Sequence, residues 1–320
     1  MRARTLLRVA LLGLLAGCGD CAACGGCGES SAERELTKPP AEAAAEQPAE
    51  APATPPDAGT GIPGLPPDAS PLETAVYRAF HYFRSHELRG DQAWAVRQAS
   101  ALLGEPFAEQ VEGLKLHVDV VERDNAESRM AALGKRVFPP PPALPTPPPP
   151  TARQKVDPAL TQAQVMRVLQ IMQRSIDCAQ LDERERAKLL DDLRRPATGY
   201  LLSHQLWGVV TAQHLGCLEA SLAEPMRKKL AEEVFAELSA DDAWNDLAAE
   251  RAALLAYAGL TDWIPQSLVA LAITSQRDDG SWPKAELKVA KGVKLPEGHT
   301  VALGFYALAH KLAAERSAAR

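Results

Sequence analysis

Histidine, cysteine and carboxylate side chains that could bind a metal or transfer a proton lie in the C-terminal half of the chain. The apolar segment 200–222 carries His204, His214 and Cys217, and His299 follows much later. His214 and Cys217 are three residues apart, which places them on one face of a helix. Neutral imidazole and thiolate suit zinc, so these four residues are candidate metal ligands. The alternative is structural, with histidines that bond helix ends and a cysteine that is oxidised or buried, and on that interpretation we expect no metal and no cofactor.

A second group of residues could transfer protons. Asp278 and Asp279 lie in a turn between two apolar segments. The order of the predicted helices places this turn at the same end of the fold as His204 and His299. A carboxylate beside a histidine can act as an acid–base pair near neutral pH, so these four residues are candidate catalytic residues. The alternative is that both aspartates belong to a solvated turn.

Aromatic side chains on the same elements could line a ligand cavity. Tyr200, Trp207 and Trp282 each combine apolar surface with a hydrogen-bonding atom. In a concave site, that combination favours a sugar or an apolar ligand. The alternative is that Trp207 and Trp282 pack in the core.

The elements that must position these residues are helices. Ser70 and Thr161 each begin a capping box, and apolar residues follow at helical spacing. Further segments of helical length follow at 183–193, 200–222, 225–238, 244–257, 263–275 and 299–316. No segment shows the alternation of apolar and polar residues that is typical of a half-buried strand. The sequence therefore predicts an all-α fold of helical hairpins stacked side by side.

Composition divides the chain into a leader, a tether, an N-terminal helical part, a proline-rich linker and a C-terminal helical domain, at residues 1–17, 18–69, 70–138, 139–157 and 158–320. The tether has almost no large apolar side chains, so it cannot offset its ordering entropy and is predicted to be disordered. The N-terminal part is predicted to hold helices over 71–83, 91–103 and 106–133. The linker is predicted to be extended, and it either separates two domains or runs over the surface of one.

One motif in the C-terminal domain resembles a known repeat. Gln276 is followed by Gly-Ser-Trp ending at Trp282, which resembles the QW repeat of terpenoid cyclases and related proteins. The segment that begins with His299 and Thr300 is similar to the His-Thr segment near the end of protein prenyltransferase β subunits. The resemblance covers about forty residues and implies a toroid of paired helices. The number of predicted hairpins is small for a full ring, so an incomplete toroid is also consistent with it.

The active-site motifs of those families are missing. The chain has no Asp-x-Asp-Asp motif, with which squalene–hopene cyclases protonate their substrate. It has no Asp-x-Cys motif, with which protein prenyltransferases hold zinc. Of the zinc ligands in that family, only the histidine has a counterpart in this chain, which is His299. The resemblance therefore implies a fold and leaves cyclisation and prenyl transfer unsupported. We expect a binding protein rather than an enzyme.

The N-terminus resembles a bacterial lipoprotein signal peptide. Arginines accompany an apolar run at 6–15 that is too short to cross a bilayer, and Leu-Ala-Gly-Cys ending at Cys18 matches a lipobox. The resemblance implies cleavage before Cys18, acylation of its sulfur and a lipid anchor in the cell envelope. Gly19 follows the lipidated position where Asp would favour the inner membrane, which implies the outer membrane.

The cysteines fall into two sets. Four of them recur at every third position from Cys18 to Cys27, a spacing that mimics an iron–sulfur or zinc motif. Lipidation would consume the first of these and an exported chain meets an oxidising compartment, so we reject a cluster. Cys178 and Cys217 are the two cysteines of the predicted globular part, which favours one disulfide. The alternative is two separate buried thiols.

Charge and motifs exclude several classes of partner. The net charge is −6 and no basic stripe alternates with aromatic residues, which argues against nucleic-acid binding. No glycine-rich phosphate loop is present. We therefore expect a membrane-anchored envelope lipoprotein whose helical domain binds a ligand or partner, such as an envelope protein or a glycan. The alternative is a hydrolase or lyase on the same scaffold, acting on a polysaccharide or a lipid-like substrate.

Overall fold

The computed structural model describes residues 61–88, 90–114, 133, 136–145, 161–283 and 298–320. Ten α-helices have their bounds within these residues: α1 Pro71–Tyr82, α2 Gly90–Leu103, α3 Phe107–Val111, α4 Gln162–Ile176, α5 Glu183–Arg194, α6 Gly199–His214, α7 Ala220–Leu238, α8 Asp246–Tyr257, α9 Gln266–Ser275 and α10 His299–Ala318. The same residues contain no β-strand. The predicted all-α class is confirmed. The leader, Cys18, the other cysteines up to Cys27 and most of the tether lie outside the described residues.

Local capping explains where several helices begin. The side chain of Ser70 accepts a hydrogen bond from the backbone of Glu73 at 3.1 Å. Thr161 forms a capping box with Gln164 at the start of α4. Asn245 accepts from the backbone N–H of Ala248 at 2.9 Å and so begins α8. Each side chain satisfies a backbone donor that the first helical turn leaves unpaired.

The apolar segment 200–222 is not one helix, in contrast to the prediction. Helix α6 ends at His214, and Gly216 follows with φ of +73°. A positive φ suits glycine and breaks the helical path. Cys217 therefore lies beyond the helix, and the expectation that it shares a helix face with His214 is wrong.

Helices α6, α8 and α10 run parallel, because the residues that face each other are in the same order. Near their starts, Tyr200 and His299 both contact Asp246. Near their ends, Thr211 faces Tyr257 at 3.2 Å. Helix α7 runs antiparallel to both α6 and α8. Glu237 near its end contacts Gly199 at the start of α6, and Arg227 in its first half contacts Ala258 just after the end of α8. The starts of α6, α8 and α10 thus meet at one end of the fold, which we call the N-terminal end.

The N-terminal helices share a hydrophobic core with the C-terminal ones. Phe80 and Phe83 of α1 lie 5.7 and 5.6 Å from Phe305 of α10. Trp94 of α2 stacks on Tyr306 at 5.5 Å. Aromatic pairs at these distances stabilise the contact beyond the area they bury. Helices α1 and α2 are therefore packed directly on α10.

The described part of the proline-rich segment lies against these helices. Gln98 of α2 bonds the carbonyl of Arg136 and accepts from the N–H of Phe138. Pro141 is buried, and its carbonyl contacts Gly259, a position where a side chain would collide with it. Residues 136–145 therefore follow the surface of the helical core. Of the two alternatives for this segment, the described part fits a path over the surface of one domain.

Cys178 and Cys217 form a disulfide, with an S–S distance of 1.99 Å and a Cα–Cα distance of 5.9 Å. The bond joins the chain just after α4 to the chain just after α6. The predicted disulfide is therefore present, and the alternative of two separate buried thiols is wrong. Among the described residues, none of the helices meets the length and hydropathy needed to cross a bilayer.

Candidate functional site

Three parallel helices bring a carboxylate, a phenol and an imidazole together at the N-terminal end. Asp246 accepts a hydrogen bond from the hydroxyl of Tyr200 at 2.9 Å and from the hydroxyl of Thr300 at 2.5 Å. Nδ1 of His299 lies 2.9 Å from the same carboxylate. Asp246 is 2% exposed, so its charge is stabilised by these partners rather than by water.

A second imidazole–carboxylate pair lies one helical turn further along. Glu250 accepts a hydrogen bond from Ser203, and Nδ1 of His204 lies 3.2 Å from its carboxylate. The same Nδ1 lies 2.8 Å from the carbonyl of Tyr200. Both neighbours are acceptors, so Nδ1 carries a proton and Nε2 is the nitrogen that can exchange one. These residues and those around Asp246 form the histidine–carboxylate cluster, which comprises Tyr200, Ser203, His204, Asp246, Glu250, His299 and Thr300.

Burial and neighbouring charges act against each other in this cluster. Burial by itself would raise the pKa of Asp246, but the imidazole of His299 and hydrogen bonds from three side chains hold that pKa below its ordinary value. Burial would lower the pKa of His204, but the carboxylate of Glu250 outweighs it and raises that pKa. Burial and the charge of Asp246 raise the pKa of Tyr200. At neutral pH the cluster therefore contains an ionised Asp246 and a protonated phenol.

A buried salt bridge joins α8, which carries both carboxylates of the cluster, to α7. Arg251 is 1% exposed and donates to Glu237 of α7 at 2.5 Å and to Asp241 at 2.8 Å. Glu237 also accepts from the backbone N–H of Gly199, the first residue of α6. Thr198 makes no side-chain cap there, so a carboxylate from another helix replaces it. Burial raises the pKa of Glu237.

The structure places the predicted catalytic residues in two locations. His204 and His299 are in the cluster, each beside a carboxylate that was not predicted from the sequence. Asp278 and Asp279 are exposed in the turn after α9. Asp279 accepts from the backbone and the hydroxyl of Ser281 at 2.9 and 2.6 Å, which fits the solvated-turn alternative.

The spacing of residues along two helices could have pointed to the two carboxylates of the cluster that were not predicted. Asp246 and Glu250 are four residues apart, as are Tyr200 and His204, and each pair therefore lies on one face of its helix. Both faces lie in otherwise apolar helices, where a charged side chain is seldom buried without a partner. The spacing could have selected these residues, but it could not have shown that the two faces meet.

The predicted aromatic ligand site is part of the core. Trp207 and Trp282 are 3% and 2% exposed, and Tyr200 is 4% exposed. Nε1 of Trp282 donates to the carbonyl of Ala272 at 2.7 Å, and its ring packs on Gly304 of α10. These rings have almost no surface with which to stack on a sugar, so the structure favours the core alternative.

The four candidate metal ligands do not converge. Cys217 is bonded to Cys178 and has no thiolate to offer. His204 and His214 are ten residues apart on one helix, which separates them by about 15 Å along its axis. The ring of His214 stacks on Phe138 at 4.8 Å, far from the cluster. Among the described residues, no three histidine, cysteine or carboxylate side chains are grouped so as to hold a metal ion.

A cleft that no sequence pattern predicted lies at the opposite end of the parallel helices. It has a volume of about 260 Å³ and is bordered by α2, the end of α8, α10 and residues 137–140. Leu102 and Val137, which line it, are the exposed large apolar side chains of the described residues, at 39% and 60%. We call this cavity the C-terminal cleft. An exposed apolar border around a concave site is typical of a ligand-binding surface.

Polar groups are few in the C-terminal cleft. Tyr257, Tyr306, His310 and Gln98 supply them, and Ala101, Pro139 and Pro140 complete the lining with apolar surface. Burial lowers the pKa of His310 to about 4, so its imidazole is neutral at neutral pH. Burial and the nearby Tyr257 raise the pKa of Tyr306. The lining is thus mainly apolar and carries no charged side chain at neutral pH.

Comparisons with family models, with curated proteins and with solved structures find no match for this chain.

Proposed function

We propose that this chain is a lipid-anchored lipoprotein of the cell envelope, in the outer membrane, and that its helical domain binds a small, mainly apolar ligand in the C-terminal cleft. The observation that carries the proposal is the coincidence of a concave cavity with Leu102 and Val137. Both side chains leave apolar surface in contact with water at the border of the same cavity, where a ligand could cover it. The cavity is small for a drug-sized ligand, which sets the size of the molecule it would take.

The compartment is supported by two independent features. The lipobox resemblance at Cys18 implies an acyl anchor, and a tether up to residue 60 would let the domain reach away from the bilayer. The predicted tether is too long at its end, because Ile62 and Leu65 pack against the hydrophobic core. The disulfide between Cys178 and Cys217 is typical of chains that fold outside the cytoplasm. A toroid-like order of the helices is part of this proposal, since the parallel α6, α8 and α10 with antiparallel α7 outside them fit the inner and outer layers of such a fold.

Binding can be tested by filling the cleft. Ala101 lines the cavity and is exposed, so Ala101→Trp would occupy it without disturbing the core. Ala270 is exposed on α9 and does not line the cleft, which makes Ala270→Trp the matched control. Screening a library of small molecules by ligand-observed NMR should identify binders that Ala101→Trp loses and Ala270→Trp keeps. Binding that is unaffected by both variants would place the site elsewhere and refute the proposal.

The anchor is tested separately. Cells that express the chain are fed a fatty-acid analogue, and the label is followed in the unchanged protein and in Cys18→Ser. We expect the label to be lost with the cysteine. Label that persists in Cys18→Ser would remove the lipoprotein part of the proposal and leave the cleft untouched.

A second candidate function is acid–base catalysis by a hydrolase or lyase at the histidine–carboxylate cluster. The supporting observation is that His204 and His299 each contact a carboxylate while their own side chains are 17% and 11% exposed. An imidazole that contacts a buried carboxylate and keeps part of its side chain exposed is suited to proton transfer. Polysaccharide and ester hydrolysis should then fall in His204→Gln and His299→Gln and be retained in Asp278→Asn. Activity that is retained in both histidine variants would exclude this function.

A further inference from the structure

Two of the four polar side chains in the lining of the C-terminal cleft already have hydrogen-bond partners. Gln98 uses both ends of its amide, since it donates to the carbonyl of Arg136 and accepts from the N–H of Phe138 at 3.1 Å. The hydroxyl of Tyr257 lies 3.2 Å from that of Thr211. Neither side chain therefore needs a hydrogen bond from a ligand.

The other two polar side chains of the lining, Tyr306 and His310, have no hydrogen-bond partner among the described residues. They lie one turn apart on α10, and their rings are 4.6 Å from each other. Tyr306 is 3% exposed and His310 is half-buried, so little water replaces the missing partners. Taking a phenol or an imidazole out of water without a hydrogen bond is unfavourable, and such groups in folded proteins usually have a partner.

The unpaired groups of Tyr306 and His310 reach the cavity. In the described part of the chain, Nε1 of Trp94 and Nε2 of His214 also have no partner, but these atoms are closed off from solvent. The hydroxyl of Tyr306 and the ring nitrogens of His310 are not closed off in this way, and both residues line the cleft. A molecule in the cleft can therefore form hydrogen bonds with Tyr306 and His310.

The charges around the cleft favour a neutral ligand. No lining side chain is charged at neutral pH, because burial lowers the pKa of His310 to about 4, so an anion would find no cationic partner. Arg227 lies beside the cleft without lining it, and its guanidinium donates to the carbonyls of Ala258 at 2.6 Å and Pro142 at 3.0 Å. That positive charge opposes a second cation. A charge that leaves water needs a partner, and the cleft offers none to either sign.

A hydroxyl group is complementary to the two unpaired side chains. The phenol of Tyr306 can donate one hydrogen bond and accept others, and the neutral imidazole of His310 has one donor nitrogen and one acceptor nitrogen. A ligand hydroxyl can accept from one of these side chains while it donates to the other. An ether or a ketone has acceptors only and would satisfy less of this pair.

The volume of the cleft limits the size of the ligand. It is about 260 Å³, whereas an apolar cavity of about 150 Å³ holds one benzene molecule. The carbon frame is therefore about the size of one ring with a few further atoms. We infer that the ligand of the C-terminal cleft is a compact neutral alcohol whose hydroxyl bonds to Tyr306 and His310 and whose carbon frame covers Leu102 and Val137. This inference rests on the proposed function, because it names the ligand class of the same cleft.

The experiment compares benzyl alcohol with ethylbenzene, in which a methyl group replaces the hydroxyl, on the purified full chain. Ligand-observed NMR titration gives both dissociation constants. Water solvates the alcohol better than the hydrocarbon, so the two constants do not report the hydrogen bonds by themselves. The test is therefore the ratio of the two constants, alcohol over hydrocarbon, in the unchanged protein and in Tyr306→Phe, which removes only the hydroxyl. We expect this ratio to rise about tenfold in the variant, as the loss of one buried hydrogen bond implies.

Two further variants assign the effect to the unpaired groups. Tyr257→Phe removes a hydroxyl of the same lining that is already bonded to Thr211, so it should change both dissociation constants by the same factor. His310→Leu removes the other unpaired group and should raise the ratio about fivefold. A circular dichroism spectrum equal to that of the unchanged protein shows that each variant is folded. If Tyr306→Phe does not fold, His310→Leu carries the test.

Three results would overturn the alcohol inference. A ratio that stays the same in either folded variant, Tyr306→Phe or His310→Leu, would mean that water already satisfies that group, and the proposed apolar cleft would still stand. Tighter binding of benzoate or benzylammonium than of benzyl alcohol would show that the cleft favours an ion. If neither benzyl alcohol nor ethylbenzene binds, the inference fails, and the library screen with Ala101→Trp decides separately on the proposed function.

Discussion

Removing the carboxylate of Asp246 tests whether the histidine–carboxylate cluster joins α6, α8 and α10. Asp246→Ala deprives the hydroxyls of Tyr200 and Thr300 and the imidazole of His299 of their shared acceptor. Tyr200 and His299 are buried, at 4% and 9% exposure, whereas Thr300 can turn to water. Each hydrogen bond lost at a buried donor costs roughly 1–3 kcal/mol, so the loss of two should lower the free energy of unfolding by about 4 kcal/mol.

The assay is urea denaturation followed by circular dichroism at neutral pH. The matched control is Asp278→Ala, which removes an exposed carboxylate and should change the free energy of unfolding by less than about 0.5 kcal/mol. Tyr200→Phe is the second arm. By itself it should cost about 1 kcal/mol, and in the Asp246→Ala background it should instead restore roughly 1–3 kcal/mol, because it removes a buried hydroxyl that has lost its acceptor.

The pH dependence follows from the direction of the pKa shift. The pKa of Asp246 is lower in the folded chain than its ordinary value of about 3.9. The stability that this shift contributes is therefore fully present above that ordinary value, and it is lost as the pH falls through the folded value. The advantage of the unchanged protein over Asp246→Asn should be constant near neutral pH and should shrink in acid.

Two results would refute this reasoning. One is a loss below about 1 kcal/mol for Asp246→Ala, which would mean that water replaces the missing acceptor. The other is an unchanged cost of Tyr200→Phe in the two backgrounds, which would mean that the phenol and the carboxylate do not interact. If Asp246→Ala does not fold, Tyr200→Phe and Asp246→Asn still test the bond.

Three further predictions concern other contacts. Cys178→Ser opens a bond between positions 39 residues apart, and the chain-entropy relation gives a loss of about 4 kcal/mol in urea denaturation under oxidising conditions. Gly304→Ala places a Cβ 2.9 Å from the ring of Trp282, so overpacking of roughly 1–3 kcal/mol should outweigh the helix propensity gained and lower the melting temperature. Glu250→Gln should lower the pKa of His204, measured by NMR titration of its ring protons, because burial then acts with less opposition.

Each of these has a control or a contradicting result. Cys178→Ser should match the reduced protein, and a difference between them would show that the serine itself disturbs the site. Gly113→Ala adds a Cβ at an ordinary contact of 3.5 Å and should be neutral or slightly stabilising. A His204 pKa that stays unchanged in Glu250→Gln would mean that the carboxylate is not the cause of the shift.

The candidate site was predictable in part. His204 and His299 were selected from the sequence because an imidazole beside a carboxylate can transfer a proton, and both lie in the cluster. Asp278 and Asp279 were selected because the predicted order of the helices placed their turn at the same end of the fold as the histidines, and they lie in an exposed turn. Proximity along the chain to a motif does not imply proximity in space, whereas Asp246 is 53 residues from His299 and contacts it.

What the sequence determined by itself is the local structure. Helical periodicity and capping side chains at Ser70 and Thr161 act within four residues, so they could be recognised without any knowledge of packing. The all-α class follows from them. The tertiary structure decided which helices run parallel, and hence that Asp246 and Glu250 face the two histidines. It also decided that the C-terminal cleft forms where α2, α8, α10 and the proline-rich segment meet, because a cavity belongs to no one element and depends on how several of them pack.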